Sequence, residues 1–146
     1  MLVSNFVKMP GVLRFLTGVA LLLILFVAQS VFTDAIRVQG REISRDEWWG
    51  SGSGVIQLLS SLPLIIAAFL MLARSRYARM SYLIGWLVSD IGTIFILKAN
   101  GLMSTGVQWW FVSLACAVSL LVFACYLFTS KQVAAYFKGE PAHAAT

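Results

Sequence analysis

The chain has little of what soluble enzymes are built from. It has one histidine, two cysteines and three prolines in 146 residues, and only 12% of its side chains are charged. Soluble domains carry about 25% charge, and a mean hydropathy of +0.85 places this chain in a lipid environment instead. The lone His143 sits in the C-terminal segment Glu140-Pro141-Ala142-His143, so no histidine pair for haem exists and no His/Cys cluster has metal-ligand spacing. Cys116 and Cys125 are nine residues apart, which in one helix separates them by about 13.5 Å along the axis and puts them on opposite faces. They cannot form an intrahelical disulfide, and small packing residues are the expectation. No Gly-rich phosphate loop occurs, and a Ser/His/Asp set would need His143, in the tail, to meet a serine within the membrane or beyond it. The expectation is therefore a non-enzymatic protein with no cofactor and no metal.

What the chain does have is four apolar runs, 15–33, 55–73, 80–97 and 108–128, of 19, 19, 18 and 21 residues. About 20 helical residues span a bilayer core of about 30 Å. The runs are continuous rather than alternating, which selects helices over a barrel. The fold class expected is an all-α integral membrane protein: four transmembrane helices packed as one bundle, a single domain over 1–146. The loop 34–54 is too short to fold alone. Apolar residues 15–28 run on into Val31 and Phe32, so the first run reads as a retained helix, with cleavage near Ala28-Gln29-Ser30 the alternative.

The basic residues set an orientation. Lys8, Arg14, Arg74, Arg76, Arg79, Lys131 and Lys138 share one side of a four-span topology, and Arg37, Arg41, Arg45 and Lys98 the other. Basic residues stay on the cytoplasmic side, so both termini and the tail 129–146 are expected in the cytoplasm, with 34–54 outside. The net charge of +5 is then an orientation signal with an added pull on anionic lipid, not a nucleic-acid footprint.

In the outer loop, Ser44-Arg45-Asp46-Glu47 has capping-box spacing and should start a short helix. Trp48 and Trp49 follow. With Trp109 and Trp110 they read as an aromatic belt at one interface, and Arg37, Arg41, Arg45, Asp46, Glu47, Trp48 and Trp49 are the candidates for a contact surface on a Gly-Ser hinge at 50–54. Beyond the fourth run, residues 131–138 continue the helix with Val133, Tyr136 and Phe137 on one face, suited to lying along headgroups. The stretch SKQVAAYF resembles the S-K-x-V-x-x-Y-F ending of several small, uncharacterised, four-helix bacterial inner-membrane proteins. That resemblance implies a multi-pass protein of the bacterial inner membrane and carries no site residue.

Asp90 is the one acid in the apolar runs. Counted from Lys98 at 1.5 Å per residue, its Cα lies about 12 Å deep, near the midplane. A bare carboxylate there costs about 2.5 to 3.5 kcal/mol. Expected partners are Ser60 and Ser61, beside a Pro63 that frees the Leu59 carbonyl, and a polar stripe of Ser113, Cys116 and Ser119. Ser81, Gly85 and Ser89, continued by Gly92, have small-xxx-small spacing for close helix approach. Two functions follow. One is an accessory, assembly or immunity protein working through helix or loop contacts with itself or another membrane protein in the lipid bilayer. The other is a proton-coupled small transporter or channel, oligomeric and centred on Asp90.

Overall fold

The computed structural model describes residues 2–103 and 106–139, apart from the Val107 side chain. Glu140, His143 and the rest of 140–146 lie outside the described residues. Four long helices carry the architecture: α2 (Gly11–Phe32), α4 (Ser53–Leu72), α5 (Ala78–Ala99) and α6 (Gly106–Thr129), with short helices α1 (Leu2–Lys8), α3 (Arg45–Gly50) and α7 (Lys131–Lys138) at their ends. All four long helices are long and apolar enough to cross a membrane. Their outward faces expose Phe15, Leu25, Leu59, Ile84, Phe95, Phe111 and Leu121, an apolar surface of a kind that water-soluble monomers rarely carry. The chain therefore reads as a multi-pass membrane protein. Each helix starts two to four residues before the corresponding apolar run; α5 and α6 also end one or two residues beyond it, whereas α2 and α4 stop one residue short.

The helices meet most tightly at the end where the termini gather. Leu13, Leu16 and Ala20 of α2, Leu64, Ala67, Ala68 and Met71 of α4, Ala78 and Tyr82 of α5, and Leu127 of α6 form one buried core there. The Tyr82 hydroxyl donates to the Leu16 carbonyl at 3.2 Å, giving a fully buried phenol the partner it needs. Helix α7 does not continue α6. Ser130 (ψ 119°) breaks the helix and caps the next one, its hydroxyl accepting from the Val133 amide at 3.4 Å. Val133 and Tyr136 then enter the core, where the Tyr136 hydroxyl donates to the Met71 carbonyl at 3.1 Å. The face expected against lipid headgroups is buried in protein instead, because the end of α4 offers that hydroxyl an acceptor.

Close approach of α4 and α5 rests on two glycines. A Cβ on Gly85 would stand 2.7 Å from Leu64 Cα and 2.8 Å from its nitrogen, and one on Gly92 would overlap the Ser60 side chain. The small-residue spacing thus works as expected, through Gly85 and Gly92. Helix α6 is peripheral by contrast: 6% of its apolar window is buried against the rest of the chain, versus 39% for α4.

At the opposite end the loop between α2 and α4 is not irregular. Strands β1 (Ala35–Val38) and β2 (Arg41–Ser44) pair antiparallel, Ile36 opposite Ile43 and Arg37 opposite Glu42. Gln39 (φ 49°) and Gly40 (φ 81°) form the two-residue turn with both central residues at positive φ, the requirement of a type I′ hairpin. This hairpin is the one departure from an all-helical chain among the described residues.

Candidate functional site

The cap at the hairpin end is built from period-2 and capping signals acting together. Alternation puts Ile36, Val38 and Ile43 on one face of the hairpin, where they pack with Trp48 and with Ile56 and Ile96 of the long helices. Ser44 starts α3 by accepting from the Glu47 amide at 3.2 Å. The Glu47 carboxylate does not turn back to the Ser44 amide as a full capping box would. It accepts from Arg41 at 3.0 Å, and Arg41 also donates to the Asn100 carbonyl at the end of α5, at 2.9 Å. The Asn100 amide donates to Ser53 Oγ and to the Ile96 carbonyl, each at 2.8 Å. Ser53 in turn bonds Ser51 Oγ at 2.8 Å.

Trp48 and Trp49 depart from the belt expectation. Trp48 is 3% exposed, held among Ile43 and Ile96 rather than at a lipid interface. Trp49 donates its Nε1–H to the Ser30 carbonyl at 2.9 Å and lies on Gly54, where a Cβ would come within 2.6 Å of the ring. The Gly-Ser segment at 50–54 is accordingly a packed turn into α4, not a free hinge. For Trp49 the reason is chemical, since its indole finds both a carbonyl and an apolar slot inside the fold; Trp48 is held by apolar packing alone. Arg37, Glu42, Arg45 and Asp46 remain exposed on the outer side of the cap, with Arg45 3.9 Å from Asp34, a surface pair of little energetic weight.

The Asp90 neighbourhood also differs from the expected one. Gly92 is turned onto Ser60 of α4, and Asp90, two residues earlier, is about 200° round the helix. It cannot face the same partner. Asp90 is half-buried toward α6, where the Cys116 thiol interacts with its carboxyl. One turn before it, Trp86 Nε1–H donates to Ser119 Oγ at 3.3 Å, and Ser119 donates to the Cys116 carbonyl at 2.9 Å. Trp86, Asp90, Cys116 and Ser119 thus form a polar seam between α5 and α6. Ser113 is exposed, outside the seam. Ser60 and Ser61 are buried, Ser60 donating to the Gln57 carbonyl at 3.2 Å, and Pro63 stands with Leu64 behind Gly85. Close packing of α4 on the two glycines is what turns the carboxyl to α6.

Sequence reasoning missed Asn100 and Ser53, which tie the cap to two helices. Gly101 at φ 65°, following Asn100, is the signal that the α5 helix ends there with Asn100 at its cap. Among the described residues no three His, Cys, Asp or Glu side chains gather that could hold a metal ion. Nothing in the comparisons places the chain beside a known protein: no family model, no curated protein and no solved structure matches it.

Proposed function

We propose that the chain is a small non-enzymatic protein of the bacterial inner membrane, both termini cytoplasmic, that works by presenting its cap to another membrane protein on the outer side, in an accessory, assembly or immunity role. One observation carries this reading. A loop that only joined two spans would need no fold of its own, whereas this one has an apolar centre at Trp48 and is fastened to α2 through Ser30 and to α5 through Asn100. A surface held in that way offers Arg37, Glu42, Arg45 and Asp46 with little ordering entropy left to lose on binding. The seven-to-four division of basic residues supports the orientation.

The test uses single cysteines in a Cys116→Ser, Cys125→Ala background. A membrane-impermeant cross-linker with a maleimide at one end and an amine-reactive sulfosuccinimidyl ester at the other, applied to intact cells, should react with Asp46→Cys and spare Ser75→Cys. It should also join Asp46→Cys to one discrete larger species, with the yield falling at least tenfold when Arg37 and Arg45 are both changed to Glu. Reaction at Ser75→Cys alone would reverse the orientation. Reaction at Asp46→Cys that yields no discrete product, or a product indifferent to the charge changes, would end the docking reading.

A second reading, the proton-coupled transporter, is favoured by the seam itself, where a carboxyl lies against a loosely packed helix at the midplane. Asp90→Asn separates the two. Under the docking reading it is tolerated, because an amide still hydrogen-bonds across the seam, while Asp90→Leu weakens α5–α6 packing by about 1 to 3 kcal/mol through the polar groups left unmatched. Proton flux into reconstituted vesicles that is present in the unchanged protein and lost in both variants would establish the transporter instead.

A further inference from the structure

At the end of the bundle where the termini gather, three arginines and a lysine line a pocket of about 420 Å3. Arg74 and Arg76 come from the α4–α5 connector, Arg79 from the first turn of α5, and Lys138 from α7; Met80 and Phe128 form its apolar rim. Among the described residues no carboxylate stands there, since both ion pairs belong to the cap. The guanidinium groups lie over rings instead: Arg74 Cζ is 4.6 Å from the Tyr136 ring centre and Arg79 Cζ 4.8 Å from that of Phe137. Stacking orients a guanidinium and leaves its N–H edge free for an anion. Arg74 Nε is itself buried, so the guanidinium is seated in the protein by its inner edge while the residue still lines the pocket.

The backbone at Arg74 points the same way. Helices α4 and α5 end in the same motif, two reverse hydrogen bonds around a left-handed residue: Ser75 to Leu70 and Arg74 to Met71 after α4, Leu102 to Leu97 and Gly101 to Lys98 after α5. Helix α5 uses glycine for the left-handed position, whereas α4 uses Arg74 at φ 55°. A side chain is kept where glycine would be easier, and that side chain is the one stacked on α7 and facing the pocket. Met80 and Phe128 are both about half exposed on the sides of α5 and α6, so the pocket opens beside the apolar belt rather than only toward water.

We propose that this pocket binds the phosphate of an anionic phospholipid headgroup, with Arg74, Arg79 and Lys138 supplying the donors and Met80 and Phe128 meeting the first acyl carbons. The proposal rests on the reading of this end as the cytoplasmic membrane face, and not on the docking of the cap. Anionic lipid is abundant on that face, and basic pockets beside spans suit its headgroups.

The experiment is native mass spectrometry of the purified full chain in dodecyl maltoside, titrated with dioleoylphosphatidylglycerol, with dioleoylphosphatidylcholine or with inorganic phosphate. The expected result is retention of one phosphatidylglycerol per chain, at least tenfold above phosphatidylcholine at equal concentration. Arg74→Gly should lose that preference while folding well, because glycine suits the left-handed turn. Arg79→Gln, a change on a helix surface, should lose it as well and carries the comparison if the first variant melts early. Inorganic phosphate that displaces the lipid at equal concentration would show a site for free anions and overturn the lipid assignment. Equal retention of the two lipids, or a preference kept in a folded variant, would overturn the site.

Discussion

Trp48→Ala is expected to detach the cap while leaving the core at the other end of the bundle folded. The indole is 3% exposed and packs with Ile43 and Ile96 as the centre of the cap. Truncating a buried aromatic to alanine costs about 3 to 5 kcal/mol, more than a 21-residue loop fastened at two points is expected to spare. Limited trypsinolysis in detergent is the measurement, since Arg37, Arg41 and Arg45 all lie in the cap. Cleavage there should accelerate by a factor of a hundred or more, with the thermal unfolding of the helices little changed. Trp48→Phe should be close to neutral: the indole Nε1–H has no hydrogen-bond partner in the fold, so removing that donor leaves no group newly unpaired. If Trp48 instead served as an interface anchor, Trp48→Ala would leave the trypsin pattern of the detergent-solubilised protein as it was.

Gly85→Leu is expected to separate α4 from α5 and to prevent accumulation of folded protein. Even Gly85→Ala places a carbon 2.7 Å from the Leu64 Cα, and the obstacle is the α4 backbone at Pro63 and Leu64, so no side-chain rotation relieves it. Overpacking of this kind costs about 1 to 3 kcal/mol for a methyl and more for a larger group. Alanine's better helix propensity returns at most about 1 kcal/mol, so the net sign is destabilising. Gly18→Ala, where nothing lies within 4 Å, is the matched control and should be neutral or slightly stabilising. Thermal melts in detergent of Gly85→Ala and Gly18→Ala, with the folded yield of Gly85→Leu, decide it. A Gly85→Ala protein as stable as the Gly18→Ala protein would mean that the two helices do not pack through this contact.

The same two glycines explain why the Asp90 neighbourhood was only half legible. That a lone acid stood mid-way along the third run, with the stripe of Ser113, Cys116 and Ser119 at matching height, followed from counting along the chain, though Ser113 stays outside the seam. Which helix it would face did not follow, because rotation of a helix about its axis is decided by its best-packed neighbour. Gly85 and Gly92 claim α4, with Ser60, Ser61 and Pro63 behind them, and Asp90 is left to α6. Trp48 and Trp49 show the same limit at another scale. Composition puts tryptophans near a membrane interface, yet the Ser30 carbonyl and the slot over Gly54 that hold Trp49 exist only after α2, α3 and α4 have come together.

The number, length and approximate bounds of the four long helices were properties of the sequence by itself, as was the gathering of the termini with the Arg74–Arg79 connector at one end; helix α1 and the break between α6 and α7 were not. A bilayer-length apolar run has one way to satisfy its backbone, and each run must reverse the direction of the last. The start of α3 at Ser44 was equally local, a hydroxyl and an amide three residues apart. The tertiary structure alone decided the tie of Arg41 to Asn100, the burial of Tyr136 under the end of α4, and the left-handed Arg74 that turns toward α7. Each of these joins groups 59 to 65 residues apart or depends on a surface such a contact creates, and neither periodicity nor local propensity carries information over that distance.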